Sequence, residues 1–242
     1  MSKAFQTQAH TYDTHARIQK TMYTKIMQML PQRSYTTFAE FGVGTAWGTE
    51  KLIKEYPEAK FWLNDEAPAM LRIARQRCPT AHLLLGSFPQ VKLTQSVDCI
   101  ISCAMMQWIE DLTSAFHYFK NFVTSKGILA IGTFGPRMYQ EIYQMGYPRL
   151  FYREKDTIRQ LANSFGFRLL QYCRWEETLS FSHPIRVLRH MRDTGVNRVS
   201  ESSVHCFHPK AFLQNYPQEI HDGCPSYPLT YHPQIFVWRK SE

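Results

Sequence analysis

Phe38-Ala39-Glu40-Phe41-Gly42-Val43-Gly44-Thr45-Ala46 decides how this chain of 242 residues folds. An apolar run over 37–41 breaks at two glycines two residues apart, and a helical stretch over 47–55 follows at once. That order is the first strand–turn–helix unit of an α/β sheet, and glycine there either closes a tight turn or lets a ligand approach the backbone. The same rhythm continues downstream. Apolar runs at 60–64, 82–85, 97–102 and 127–134 predict buried strands, and 68–77, with Pro68 at a helix start, and 112–123 predict helices. Strands alternating with helices predict a doubly wound, mostly parallel α/β sheet with helices on both faces.

On the N-terminal side, 16–30 predicts a helix with Ile18, Met22, Ile26 and Met29/Leu30 on one face, stopped by Pro31. Beyond Phe134 the rhythm changes. The stretches 136–145 and 154–165 read as helices, 167–177 as a strand, 184–192 as a short helix closed by Gly195, and 229–239 as the last strand or strand pair. Insertions at 136–152 and 178–215 exceed a minimal sheet and are where a lid or substrate-binding surface would come from. The expected organisation is a single domain over 1–242: an N-terminal helical segment to residue 33, a ligand-binding half over 34–135, and a substrate and lid half over 136–242.

Composition narrows the class. At 44% hydrophobic and 14% aromatic the chain is globular, and no apolar run reaches the 18 or so residues of a membrane span. The start, Met1-Ser2-Lys3-Ala4-Phe5-Gln6, lacks an apolar signal core, so a cytoplasmic location is expected. The six cysteines form no Cys-x-x-Cys pair and the ten histidines are scattered, so reduced cysteines and no metal site are expected. The net charge of +8 suggests nucleic acid until it is located: residues 1–130 carry 14 cations and 10 acids, and so do residues 131–242. No basic run forms, which argues against nucleic-acid binding. Arginine supplies eleven of the 14 cations in the second part, a residue suited to carboxylate and phosphate recognition, with its nearest cluster at Arg186, Arg189, Arg192 and Arg198.

Asp65 stands at the end of the second predicted strand, 21 residues beyond Gly44, where a carboxylate grips the two ribose hydroxyls of a nucleotide-like ligand; it can also cap the helix that starts at Pro68. A nicotinamide enzyme would share these two features. What distinguishes this chain is an ordered series: Glu40-x-Gly42-x-Gly44, then Asp65-Glu66-Ala67-Pro68-Ala69-Met70-Leu71, then Gly86-Ser87-Phe88-Pro89, then Ser102-Cys103-Ala104-Met105-Met106-Gln107-Trp108. The series resembles the class I S-adenosylmethionine-dependent methyltransferases. That resemblance implies a Rossmann-like seven-stranded sheet with a helical lid insertion, and S-adenosyl-L-methionine as cofactor. It implies that Glu40, Gly42 and Gly44 line the methionine part, that Asp65, followed by Glu66, holds the ribose, and that Met70 flanks the adenine. Ser87 and Phe88 would border the adenine edge, and Cys103 would sit beside the sulfonium arm. Two departures are visible: Ala46 replaces the third glycine, and Ser87 replaces the usual Asp and accepts a hydrogen bond less strongly.

The flanks narrow the resemblance. Phe5-(x)3-Ala9-(x)2-Tyr12-Asp13-(x)2-Ala16-(x)2-Gln19, Gln107-Trp108, Gly132-Thr133-Phe134-Gly135-Pro136, and Thr178-Leu179-Ser180-Phe181-(x)2-Pro184-(x)2-Val187-Leu188-Arg189-His190-Met191-(x)2-Thr194-Gly195-Val196-Asn197 resemble the malonyl-acyl carrier protein O-methyltransferases of biotin synthesis. Methyltransferases of quinone precursors and of trans-aconitate share the first two elements. The implied acceptor is the free carboxylate of a malonyl thioester on an acidic carrier protein, and the product is a methyl ester that primes biotin synthesis. Another small carboxylate, a quinone precursor, or a non-catalytic S-adenosylmethionine-binding role are the alternatives. Near the reacting centre the expected residues are Tyr12, Gln107, Trp108 and Arg189, each with a packing or solvated role as its alternative. On a helix from Pro184, Ile185, Leu188 and Met191 would form an apolar stripe bordered by Arg186, Arg189 and Arg192, which either meet substrate and carrier or are solvated.

Overall fold

A computed structural model describes residue 9 and residues 11–147, 150–194, 209–221 and 223–242. Phe5, Gly195, Val196, Asn197, Arg198 and Cys206 lie outside the described residues. Strands β1 (Thr37–Phe41), β2 (Lys60–Asp65), β3 (His82–Leu85), β4 (Val97–Cys103), β5 (Val123–Phe134), β6 (Phe167–Arg174) and β10 (Pro233–Lys240) form one sheet in the order β3-β2-β1-β4-β5-β10-β6. Neighbours from β3 to β5 pair in parallel, and β10 runs antiparallel to both β5 and β6. The expected mostly parallel seven-stranded sheet is what forms.

Alternation along the strands makes two cores. On one face Leu129, Ile131, Phe236 and Trp238 pack with Phe116 and Phe119 of α5 (Leu112–Phe122) and with Ile158 and Ala162 of α7 (Lys155–Ser164). On the other, Ile128, Ala130, Ile235 and Val237 meet Tyr23 and Ile26 of α2 (Arg17–Met29), Leu52 of α3 (Thr49–Glu55) and Ala74 of α4 (Pro68–Arg77). A single turn, α1 (Tyr12–His15), precedes α2.

The second half departs from expectation in several places. The stretch 136–145 is helical only in α6 (Gln140–Gln144), because Tyr139 takes a left-handed backbone (φ 56°) and the chain turns there. Residues 167–177 do not form one strand: β6 ends at Arg174, and β7 (Glu177–Phe181) leaves for a second sheet of order β7-β9-β8. The terminal strand pair is β9 (Cys224–Tyr231) and β10, separated by His232 alone, and β8 (Glu219–His221) completes the small sheet. The insertion is therefore not purely helical: α8 (Pro184–Asp193) and α9 (Pro209–Asn215) accompany these three strands. Val187, Phe212, Leu229 and Tyr231 from it join Ile18, Met22, Tyr139 and Tyr152 in a third apolar cluster. Because β5 ends at Phe134 opposite Pro233, and His232 C=O accepts from Gly135 N–H (2.7 Å), the small sheet begins at the carboxyl end of β5.

No described helix is long and apolar enough to cross a membrane.

Candidate active site

The parallel strands end along one edge, and the turns there form an open cleft. Its walls include Tyr12, Gly42, Gly44, Asp65, Glu66, Met70, Phe88, Cys103 and Trp108. A second space of about 440 Å³ shares Tyr12, Gly42, Gly44 and Cys103 with it and adds Glu40, Thr45 and Trp47, so the two run on from each other over the glycine turn.

Both turn glycines have positive φ, 72° at Gly42 and 56° at Gly44. A Cβ on Gly42 would lie 2.6 Å from the Met105 side chain, whereas one on Gly44 would meet no protein atom within 4 Å. Gly42 is thus needed for packing, and Gly44 leaves its backbone open to the cleft. Asp65 closes the turn from below: its carboxylate accepts from the N–H groups of Gly44 and Ala67, both at 2.9 Å. Burial raises its pKa to about 6 against those two hydrogen bonds. Glu40 accepts from Tyr23 Oη (2.8 Å) and Thr49 Oγ1 (2.6 Å), and burial raises it to about 7.

Asn64 donates to the carbonyls of Leu84 (2.9 Å) and Gly86 (2.8 Å) and so holds the β3 turn beside β2. That brings Gly86 and Phe88 to the cleft. Phe88 is stacked on Phe119 at 5.1 Å and tilted on Phe41 at 4.8 Å. Ser87 is exposed and absent from the cleft walls; its hydroxyl donates to Glu66 Oε2 (2.8 Å), which does line the cleft. Ser87 thus meets the cleft through Glu66.

Tyr12 covers the glycine turn. Asp13 beside it pairs with Arg77 (2.6 Å) and accepts from Thr45 Oγ1 (2.7 Å), pinning α1 across the cleft. Burial pushes the Tyr12 phenol above its ordinary value, with Cys103, Asp65, Asp13 and Tyr231 adding in the same sense. Burial likewise raises the Cys103 thiol, and Glu40 adds to it.

Besides Ser87, four expected residues line neither space: Gln107, Arg186, Arg189 and Arg192. Gln107 faces a different cavity: its Nε2 donates to Ala104 C=O (2.7 Å) and its Oε1 accepts from Thr133 Oγ1 (3.4 Å). Trp108, next in the same 3-10 turn, does face the cleft. Arg186, Arg189 and Arg192 are exposed on α8 and line none of these cavities. The most buried residues of α8 are Pro184 and Val187, and Leu188 and Met191 of the expected stripe pack against the same apolar cluster as Val187.

Sequence spacing does not indicate the polar group under α8. His190 Nε2 lies 2.8 Å from Tyr231 Oη, which accepts from Tyr139 Oη at 3.1 Å. Burial lowers His190 to about 4, so it is neutral at pH 7. Asp13 adjoins Tyr12 and Asn64 adjoins Asp65; adjacency to a flagged residue is the one signal that could have found them.

A family described as a methyltransferase domain matches residues 38–127. The chain is 27% identical to a malonyl-[acyl-carrier protein] O-methyltransferase of Bacteroides thetaiotaomicron over 100% of this chain and 98% of that protein. It is also 27% identical to a protein of the same name from Bacteroides fragilis, over 99% of this chain but 49% of that protein; the chain spans about half of that relative's length. Among solved structures, a putative methyltransferase from Bacillus halodurans matches with a TM-score of 0.66 at 12% identity, covering 91% of this chain and 99% of that one.

Proposed function

Since the chain is an S-adenosylmethionine-dependent methyltransferase of class I, we propose that it methylates the free carboxylate of a malonyl thioester carried by acyl carrier protein, giving the methyl ester that primes biotin synthesis. The observation that carries the reading is the full-length likeness to relatives of that name, together with a cleft built from the turn that S-adenosylmethionine requires. Gly44, open to the cleft, and the half-buried Asp65 carboxylate fit a nucleoside with a cationic tail.

When bound, the cofactor supplies an electrophilic methyl group on a sulfonium. Asp65 and Glu66 would hold the ribose, Met70 and Phe88 the adenine, and Gly42, Gly44 and Glu40 the methionine end. A malonyl carboxylate has a pKa near 4 and is already ionised at pH 7, so the protein would need no base to make it a methyl acceptor. The protein therefore has to position groups and exclude water. Tyr12, with its phenol held protonated, acts as a hydrogen-bond donor that orients the acceptor. Cys103, held as a neutral thiol, does not compete for the methyl group. Trp108 walls the acceptor side. The exposed Arg186, Arg189 and Arg192 face an acidic carrier, with Arg189 the cation nearest the malonyl group as the carrier docks. Masking the carboxylate lets the acyl group enter apolar pockets where an unpaired charge is disfavoured. Incubation with labelled S-adenosylmethionine and carrier loaded with malonyl or acetyl groups tests the reading: label moves only to the malonyl form, and absence of malonyl-specific transfer overturns it.

A further inference from the structure

Ala16, Gln19, Lys20 and Tyr23 follow one another at three- and four-residue spacing, so they share one face of α2 and its entry. All four line the space that continues the cleft over the glycine turn. The neighbouring face of the same helix, with Ile18, Met22 and Ile26, is buried in the apolar clusters. Tyr23 is already engaged, its phenol donating to Glu40 at 2.8 Å. Gln19, one turn earlier, is not: its Oε1 is buried and has no hydrogen-bond partner among the described residues. A buried acceptor without a donor is disfavoured unless a ligand brings one. We propose that Gln19 and Lys20 hold the amino-acid end of S-adenosylmethionine, Gln19 accepting from its ammonium beside Glu40 and Lys20 donating to its carboxylate.

The walls of the two spaces give the direction in which the ligand lies. Asp65, Glu66, Met70 and Phe88 line the first, and Glu40, Gln19 and Lys20 line the second. Tyr12, Gly42, Gly44 and Cys103 are common to both. An elongated ligand with its sugar at Asp65 therefore carries its tail past Gly44 toward α2. The tail ends in one positive and one negative group, and the second space offers an opposite for each. Both hydrogen bonds from Tyr23 and Thr49 fall on Oε2 of Glu40, so Oε1 can meet the ammonium, with Gln19 Oε1 as a second acceptor. Lys20 Nζ gives one of its hydrogens to Asp13 C=O (2.7 Å) and lies over the Trp47 ring at 5.0 Å, which leaves a donor for the carboxylate. Lys20 and Trp47 also line the open groove beyond, so they stand at the mouth of the space, where a carboxylate keeps part of its hydration. The inference rests on the cofactor and not on the acceptor, so it stands or falls independently of malonyl transfer.

Calorimetry with two ligands tests it. S-adenosylhomocysteine carries the amino-acid end; methylthioadenosine keeps the nucleoside and the thioether and lacks that end. Loss of a bond to a charged group weakens S-adenosylhomocysteine about tenfold in Lys20→Met and in the nearly isosteric Gln19→Met, and leaves methylthioadenosine within about twofold. Equal losses on both ligands, or no loss on the first, overturn the assignment. So does an unaltered protein that binds the two ligands equally. The methyl ester of S-adenosylhomocysteine separates the two contacts. With its carboxylate masked, Lys20→Met costs less than about twofold while Gln19→Met still costs about tenfold. A tenfold loss on the ester in Lys20→Met overturns the carboxylate contact. Ligand-free Gln19→Met is expected to unfold at no lower temperature than the unaltered protein, since it removes a buried acceptor that has no donor. A marked drop gives Gln19 to the fold and overturns its part in binding.

Discussion

Two carboxylates, the buried Glu40 and the half-buried Asp65, dominate the behaviour of the cleft. Burial raises them from 4.5 to about 7 and from 3.8 to about 6. Each therefore holds its proton more tightly when folded, so between about pH 4 and pH 7 the folded protein keeps protons that the unfolded chain has released, and their contribution to stability falls as pH rises. Glu40→Gln removes one of these groups and keeps an acceptor for Tyr23 and Thr49. Chemical denaturation of the ligand-free variant is expected to show higher stability than the unaltered protein at pH 8 and little difference at pH 4.5; a constant offset across that range would contradict the account. An ionised carboxylate accepts hydrogen bonds from ligand hydroxyl and ammonium groups more strongly than a protonated one, so affinity for S-adenosylhomocysteine should rise from pH 5.5 to pH 8. Asp65→Asn should weaken that affinity at pH 8 by about 10- to 100-fold, the range for hydrogen bonds to a charged group, as read by calorimetry. Gly42, Gly44 and Asp65 are legible in the sequence because a tight turn after a strand demands particular residue types at short spacing. The place of Ser87 is not, because its hydroxyl is diverted by Glu66, 21 residues away.

At the scale of elements, two short helices close the cleft by different means. The first, α1, is held by Asp13 through Arg77 and Thr45, a partly buried pair. Asp13→Ala should weaken S-adenosylhomocysteine binding about fivefold, roughly 1 kcal/mol, and should expose the peptide bonds near Tyr12 to protease, as mass spectrometry of the digest would show. The second, α8, is held by His190 against Tyr231. His190 is lowered to about 4 by burial and by His15, with Asp193 opposing. Here the unfolded chain binds the extra proton, so this contribution is lost as pH falls from about 6.5 to 4, opposite in sense to the carboxylates. Hydrogen exchange should show α8 loosening at pH 5 while β1 and β2 stay protected, and His190→Gln should remove that pH dependence. The helix 184–193 itself is legible from its proline start and its period. That Val187 is its most buried apolar residue is not, because the cluster it joins contains Tyr139, Phe212 and Tyr231 from other parts of the chain.

For the whole molecule, the +8 charge has no single patch in sequence, and the fold leaves Arg186 and Arg189 exposed on the insertion. Transfer to carrier-borne substrate should therefore weaken as salt rises from 50 to 500 mM, while S-adenosylhomocysteine affinity changes much less, because surface pairing is screened and the partly buried contacts of Asp65 are screened much less. Alternating strands and helices make the main sheet legible. The small sheet is not, since 167–177 reads as one strand and 178–215 only as an insertion, and only packing shows where the chain bends. Those bends lie side by side: Trp175 N–H donates to Pro233 C=O at 3.2 Å, so the chain leaves the main sheet and returns to it at neighbouring points. The described residues between 177 and 232 thus belong to a cassette with abutting ends, set between β6 and β10, which pair with each other directly. If the cassette sets the acceptor as proposed, exchanging it at the 175/233 junction should alter acceptor choice and leave S-adenosylhomocysteine affinity unchanged, which makes that junction the natural seam for chimeras.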